Sequence, residues 1–66
     1  MQITVNDENK EFPAKTSVSE LLKSFDMDER YVAVELNRKI VPRTQFSEKL
    51  LVENDILEIV TFVGGG

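Results

Sequence analysis

The sequence predicts an α+β fold of two layers, a mixed β-sheet with one principal helix packed on one face. Three observations predict it. Apolar and polar residues alternate with a period of two near the start, middle and end of the chain, the mark of half-buried strands. One segment, with Val18, Leu21, Leu22 and Phe25 at helical spacing, carries a single apolar stripe. The elements run strand, strand, helix, strand, short strand, strand, and one helix covers one face of the sheet they form. The other face is left to solvent or to a partner.

Met1, Ile3 and Val5 alternate with Gln2 and Thr4, giving the first strand. Asn6-Asp7-Glu8-Asn9 is a cluster of turn formers, and Lys10 to Ala14 resumes an extended pattern, so the pair predicts an N-terminal hairpin. Pro13 has no N–H for a ladder and marks this second strand as an edge or as ending there. The helix follows, with Ser17 and Glu20 spaced as a capping box. Asp26-Met27-Asp28-Glu29 ends it. Tyr31 to Leu36 is the third strand, with Val32, Val34 and Leu36 opposite Ala33 and Glu35. Asn37-Arg38-Lys39 turns the chain, and Ile40-Val41 is a brief return strand stopped by Pro42. Over 43–54, Phe46, Leu50 and Leu51 are expected to cap the core from a one-turn helix or a loop. Ile56 to Val63 is the last strand. Residues 1–63 thus predict one domain and 64–66 a flexible glycine tail.

Sixty-six residues, 41% of them apolar, suffice for one small domain. Cysteine, histidine and tryptophan are absent, which excludes a disulfide framework, a cysteine nucleophile and any triad or metal centre built on imidazole. Twelve acidic against eight basic residues give a net charge of −4, which disfavours nucleic acid and anionic membranes as partners. The longest apolar run, Tyr31-Val32-Ala33-Val34, is far below the roughly 20 residues of a membrane span. No basic stretch leads into an apolar one at the start, so a cytoplasmic location is expected.

All three glycines of the chain are Gly64, Gly65 and Gly66. Without side chains they have nothing to pack and are expected to be mobile. Such a tail can thread a narrow channel and present its terminal carboxylate inside another protein, and Val63–Gly66 spans at most about 14 Å when extended. A frayed terminus or an expression scar is the alternative. The last strand favours the first reading. Glu58 shares a face with Ile56, Val60 and Phe62, whereas Leu57 and Ile59 point the other way. A charge in mid-strand predicts that its face is wet, so Val60 and Phe62 become exposed apolar residues just before the tail. With Ala33 from a neighbouring strand they would form a small partner-binding patch edged by Glu35 and Glu58. The alternative is that Phe62 folds back over the edge of the core.

Other constellations are weaker. Asp26, Asp28 and Glu29 have metal-like spacing but lack the glycine and distal glutamate of a calcium loop, so they read as a solvated loop and no metal site is assigned. Arg38, Lys39 and Arg43 form a modest basic cluster without interleaved aromatics and read as a solvated face. Ser17, Ser19, Ser24 and Ser47 have no histidine to activate them. No catalytic residue is assigned.

The run Val34-Glu35-Leu36-Asn37-Arg38-Lys39-Ile40-Val41-Pro42-Arg43, the Asn54-Asp55 turn into a strand, and the ending Phe62-Val63-Gly64-Gly65-Gly66 resemble the ThiS family, ubiquitin-like sulfur carriers of thiamin biosynthesis. The resemblance covers essentially the whole chain. It implies a β-grasp fold and a cycle centred on Gly66, with Gly64 and Gly65 as the tail. A ThiF-like adenylating enzyme would use ATP and magnesium to activate the Gly66 carboxylate, and the carrier itself would bind no cofactor. A sulfur donor protein would convert the adenylate to a thiocarboxylate, and ThiG thiazole synthase would receive the sulfur. The chain would then be a protein cosubstrate and not an enzyme. A carrier for molybdopterin synthesis or another thiocarboxylate pathway, and a ubiquitin-like modifier joined to lysines through Gly66, are the alternatives.

Overall fold

In the computed structural model, which describes residues 1–62, β1 (Gln2–Val5) and β2 (Glu8–Glu11) form a hairpin. The helix α1 (Val18–Ser24) follows, then β3 (Val32–Leu36), β4 (Lys39–Val41) and β5 (Ile56–Thr61). Single 3₁₀ turns at Glu29–Tyr31 and Arg43–Gln45 fill the connections. The sheet order is β2-β1-β5-β3-β4, with β1 and β5 parallel at its centre and the other pairs antiparallel.

Both hairpins turn in two residues. Asn6 and Asp7 have φ of 49° and 69°, and Asn37 and Arg38 have φ of 51° and 70°, the positive pair that a type I′ turn needs. Pairing therefore begins at once, Val5 against Glu8 and Leu36 against Lys39. This corrects the second strand. Glu8 and Asn9, expected in the turn, belong to β2, while Phe12, Pro13 and Ala14 lie beyond it. Lys39 likewise belongs to β4.

The Asn6 side chain also extends the central ladder. Its amide donates to the Ile59 carbonyl at 3.1 Å and accepts from the Ile59 N–H at 2.7 Å, imitating a backbone pair where β1 has already turned away. Asn37 holds the start of β5, accepting from the Ile56 N–H and donating to Asp55, each at 3.0 Å. Asp55 is buried and its other oxygen accepts from the Val52 N–H at 2.8 Å, so its carboxylate is satisfied on both sides.

The capping box is present: the Ser17 hydroxyl accepts from the Glu20 N–H at 3.1 Å and the Glu20 carboxylate accepts from the Ser17 N–H at 2.9 Å. Val18, Leu21 and Leu22 are buried against Ile3, Val5, Val34, Leu57 and Ile59 of the sheet. Phe25 is the helix C-cap, half-buried, with its ring edge-on to Phe12 at 6.1 Å. Within 43–54, Phe46 and Leu51 enter the core as expected, but Leu50 is 48% exposed. Successive residues of an extended chain point to opposite sides, so Leu51 and Leu50 cannot both face inward. Tyr31 belongs to the 3₁₀ turn capped by Asp28, so the third strand starts one residue later than expected. The last strand ends at Thr61, short of the expected Val63, which lies outside the described residues together with Gly64, Gly65 and Gly66. No helix among the described residues is long and apolar enough to cross a membrane.

Candidate functional site

With α1 on one face, the opposite face of the sheet is open. Register sets what lies there. Ala33 is paired with Val60, Glu35 with Glu58 on one side and Ile40 on the other, and Thr4 with Ile56. Val60 is 60% exposed and Phe62 52% exposed, while Ala33 between strands is half-buried. Phe62 does not fold back over the core. Its N–H donates to the Tyr31 carbonyl at 2.7 Å, which extends the β3–β5 pairing past the end of both strands. Ala33, Val60 and Phe62 are thus brought together, and Glu35 and Glu58 stand side by side next to them.

Three further apolar residues enlarge this surface: Ile56 on the same face of β5, Ile40 across from Glu35, and Tyr31 beside Phe62. Ile56 was legible from the alternation. Ile40 was not assigned a face because a three-residue strand carries too little alternation to show one. By its sequence Tyr31 begins a strand, and its place beside Phe62 depends on a contact between residues far apart in the chain.

The rim near Tyr31 is charged and hydrogen-bonded. The Arg30 guanidinium lies 5.2 Å from the Tyr31 ring centroid. Asp28 holds it through two bonds, from Nε at 3.1 Å and Nη2 at 2.7 Å, and also accepts from the Arg30 N–H at 2.9 Å. The side-chain bonds from Arg30, and then the backbone bond, bring the Asp28 carboxyl down to about 2, while the same carboxylate raises the Arg30 value. Glu29 accepts from the Ser19 hydroxyl at 3.1 Å, and Asp26 occupies a left-handed turn position at φ 57°. The three acids therefore serve three separate local structures, and among the described residues no three potential metal ligands gather. Arg38 sits in the β3–β4 turn, Lys39 in β4, and Arg43 reaches back to the Arg30 carbonyl at 3.2 Å.

This small helix-on-sheet domain, with an apolar strip on its bare face leading toward a glycine triplet, has close counterparts. The ThiS family matches residues 2–66. The chain belongs to the ThiS family. Sulfur carrier protein ThiS of Escherichia coli is 32% identical over 66 residues, covering all of both chains. Sulfur carrier protein ThiS of Bacillus subtilis is 38% identical over 50 residues, 76% of each. The crystal structure of the thiamine biosynthesis protein ThiS from Geobacter metallireducens superposes with a TM-score of 0.84 at 32% identity, covering both chains completely. The fold is therefore the β-grasp of the ThiS structures, and the chain is a sulfur carrier of thiamine biosynthesis. The whole chain also aligns at 41% identity with part of a thiazole synthase of Paramagnetospirillum magneticum, of which it spans 20% of the length. A thiazole synthase of Magnetococcus marinus shows the same arrangement at 36% identity.

Proposed function

We propose that the carrier works through the carboxylate of Gly66 and that the open sheet face presents it to its partners. A carboxylate is a poor acyl donor until one oxygen becomes part of a good leaving group. In this reading an adenylating enzyme, holding ATP and magnesium, lets a Gly66 oxygen attack the α-phosphorus and expels pyrophosphate. A persulfide carried by a donor protein then attacks the acyl carbon and expels AMP, and a thiolate attacks the donor's sulfur in the resulting acyl disulfide, forming a disulfide there and releasing the thiocarboxylate. Thiazole synthase takes the sulfur. The carrier supplies no catalytic side chain; it supplies a terminus and a surface that is recognised, and it acts in the cytoplasm.

One observation above all supports the docking role. Val60 and Phe62 are exposed apolar residues within four positions of Gly64, and Val60 sits directly against Ala33. A protein bound there is within reach of a tail that spans about 14 Å from Val63. The thiazole synthases that carry a homologous segment within one polypeptide support that enzyme as a partner. Incubation with the adenylating enzyme, ATP and a sulfur source, followed by intact mass, tests the reading. The expected product gains the mass difference of one sulfur for one oxygen. An unchanged mass with a competent enzyme overturns the proposal, and isopeptide-linked conjugates would make the chain a modifier.

A further inference from the structure

Charge is unevenly distributed along the chain. Residues 38–49 carry four basic side chains, Arg38, Lys39, Arg43 and Lys49, against Glu48 alone, whereas the rest of the chain holds four basic against eleven acidic residues. A domain of net charge −4 therefore has one segment of net +3 set against a remainder of −7. That segment runs from the β3–β4 turn through β4, one of the two edge strands, into the turn after it.

A groove runs between β4 and this turn. Leu36 and Val41 line it from the core side, and Asn37, Lys39, Ile40, Gln45 and Lys49 surround them. No carboxylate lines it, and among the described residues neither lysine has a carboxylate within ion-pairing distance. The Asn37 amide is already committed to Asp55 and Ile56, so the free polar groups are two ammonium donors and the Gln45 amide. Leu36, Lys39 and Val41 share the helix side of the sheet and Ile40 the other, so the groove sits at the β4 edge, with β3 between it and Val60 and Phe62 at the end of β5.

We propose that the groove is a second docking site, for a short acidic segment of a partner protein. Two of its carboxylates meet Lys39 and Lys49, and an apolar side chain between them rests on Leu36 and Val41. Charge complementarity favours an acid: two ammonium groups without carboxylate partners, in a groove free of carboxylates, draw an anionic ligand above a neutral one. The apolar floor selects a peptide over a nucleic acid, since no aromatic side chain lines the groove to stack a base and the −7 of the remaining surface repels a continuous phosphate backbone. Lying at the β4 edge, separated from β5 by one strand, the site can be filled while the tail is engaged elsewhere, whichever enzyme holds it.

The test is a titration of the full-length isotope-labelled chain, followed by backbone amide shifts. The probe is a short synthetic peptide in which glutamates flank valines. Lys39, Val41, Gln45 and Lys49 are expected to shift, with affinity falling as salt is added. Lys39→Glu combined with Lys49→Glu is expected to weaken binding by about tenfold or more. Both side chains are exposed, so the fold is retained, and dispersion of the spectrum checks this. The paired Lys→Arg variant is expected to bind as the parent does, and Phe62→Asp is expected to leave peptide binding unchanged. Four results overturn the proposal: no shifts in the groove, shifts confined to the Ala33 and Val60 face, equal binding of the glutamine version of the peptide, or tighter binding of an RNA oligonucleotide.

Discussion

The two faces of the sheet are built from the same strands by the same alternation, yet they have opposite fates. On one, Ile3, Val34 and Leu57 are wholly buried under α1 and Phe46. On the other, Ile56, Val60 and Phe62 remain about half exposed around two adjacent glutamates. Both faces contain large apolar residues, so hydrophobicity alone does not tell core from surface. Cover does. A single seven-residue helix and one short loop supply enough apolar surface for one face, and the charges of Glu35 and Glu58 mark the face that stays wet.

The largest effect is expected on the covered face. Leu57→Ala leaves a cavity in a site with no exposure and costs about 2–5 kcal/mol. Urea unfolding reads this, and a loss under about 1 kcal/mol would place Leu57 at a face that collapses easily. On the open face the sign reverses for Glu58→Lys. Two carboxylates directly opposite on neighbouring strands repel, and replacing one by an ammonium yields an attractive pair, a gain of about 0.2–1 kcal/mol. The gain shrinks in high salt, and an unaltered unfolding midpoint at low salt would show that water screens the pair completely. Phe62→Asp changes stability by less, within about 0.5 kcal/mol, because about half of the side chain is already in water. The same substitution is expected to abolish binding to the adenylating enzyme, read by calorimetry. Normal binding removes Phe62 from the docking role.

The smallest effect belongs to neither face. Asp28 is ionised more readily in the folded chain than at its ordinary value of 3.8, with its carboxyl at about 2. A lowered folded value means that its contribution is present above about pH 4 and is lost as pH falls toward 2. Asp28→Asn is therefore expected to differ slightly from the parent at neutral pH and to converge with it at about pH 2, in acid unfolding followed by circular dichroism.

Much of the candidate site was legible because alternation within β5 is a local property. Glu58 announces the wet face, and Ile56, Val60 and Phe62 follow from it by parity. Ala33 needed the register with Val60 to join them, and Tyr31 needed the hydrogen bond from Phe62. Arg38, Lys39 and Arg43 stood out as basic, but Lys49 did not join them, since residues 43–54 have no period of either two or 3.6 to place its side chain. The groove that unites Lys39 with Lys49 exists only once β4 and the following turn are packed.

By itself, the sequence determined the element order, the capped helix with its buried stripe, the inward and outward faces of β3 and β5, and the absence of imidazole and thiol chemistry. These depend on neighbours along the chain, through periods of two and 3.6 and a side chain reaching three residues. The tertiary structure decided the parallel pairing of β1 with β5, the choice of Leu51 over Leu50 for the core, and the stitching of β5 by Asn6 and Asn37. It also decided which apolar and charged residues share a surface. Those outcomes depend on contacts between distant residues, where the cost of closing the chain is weighed against all the surface buried at once.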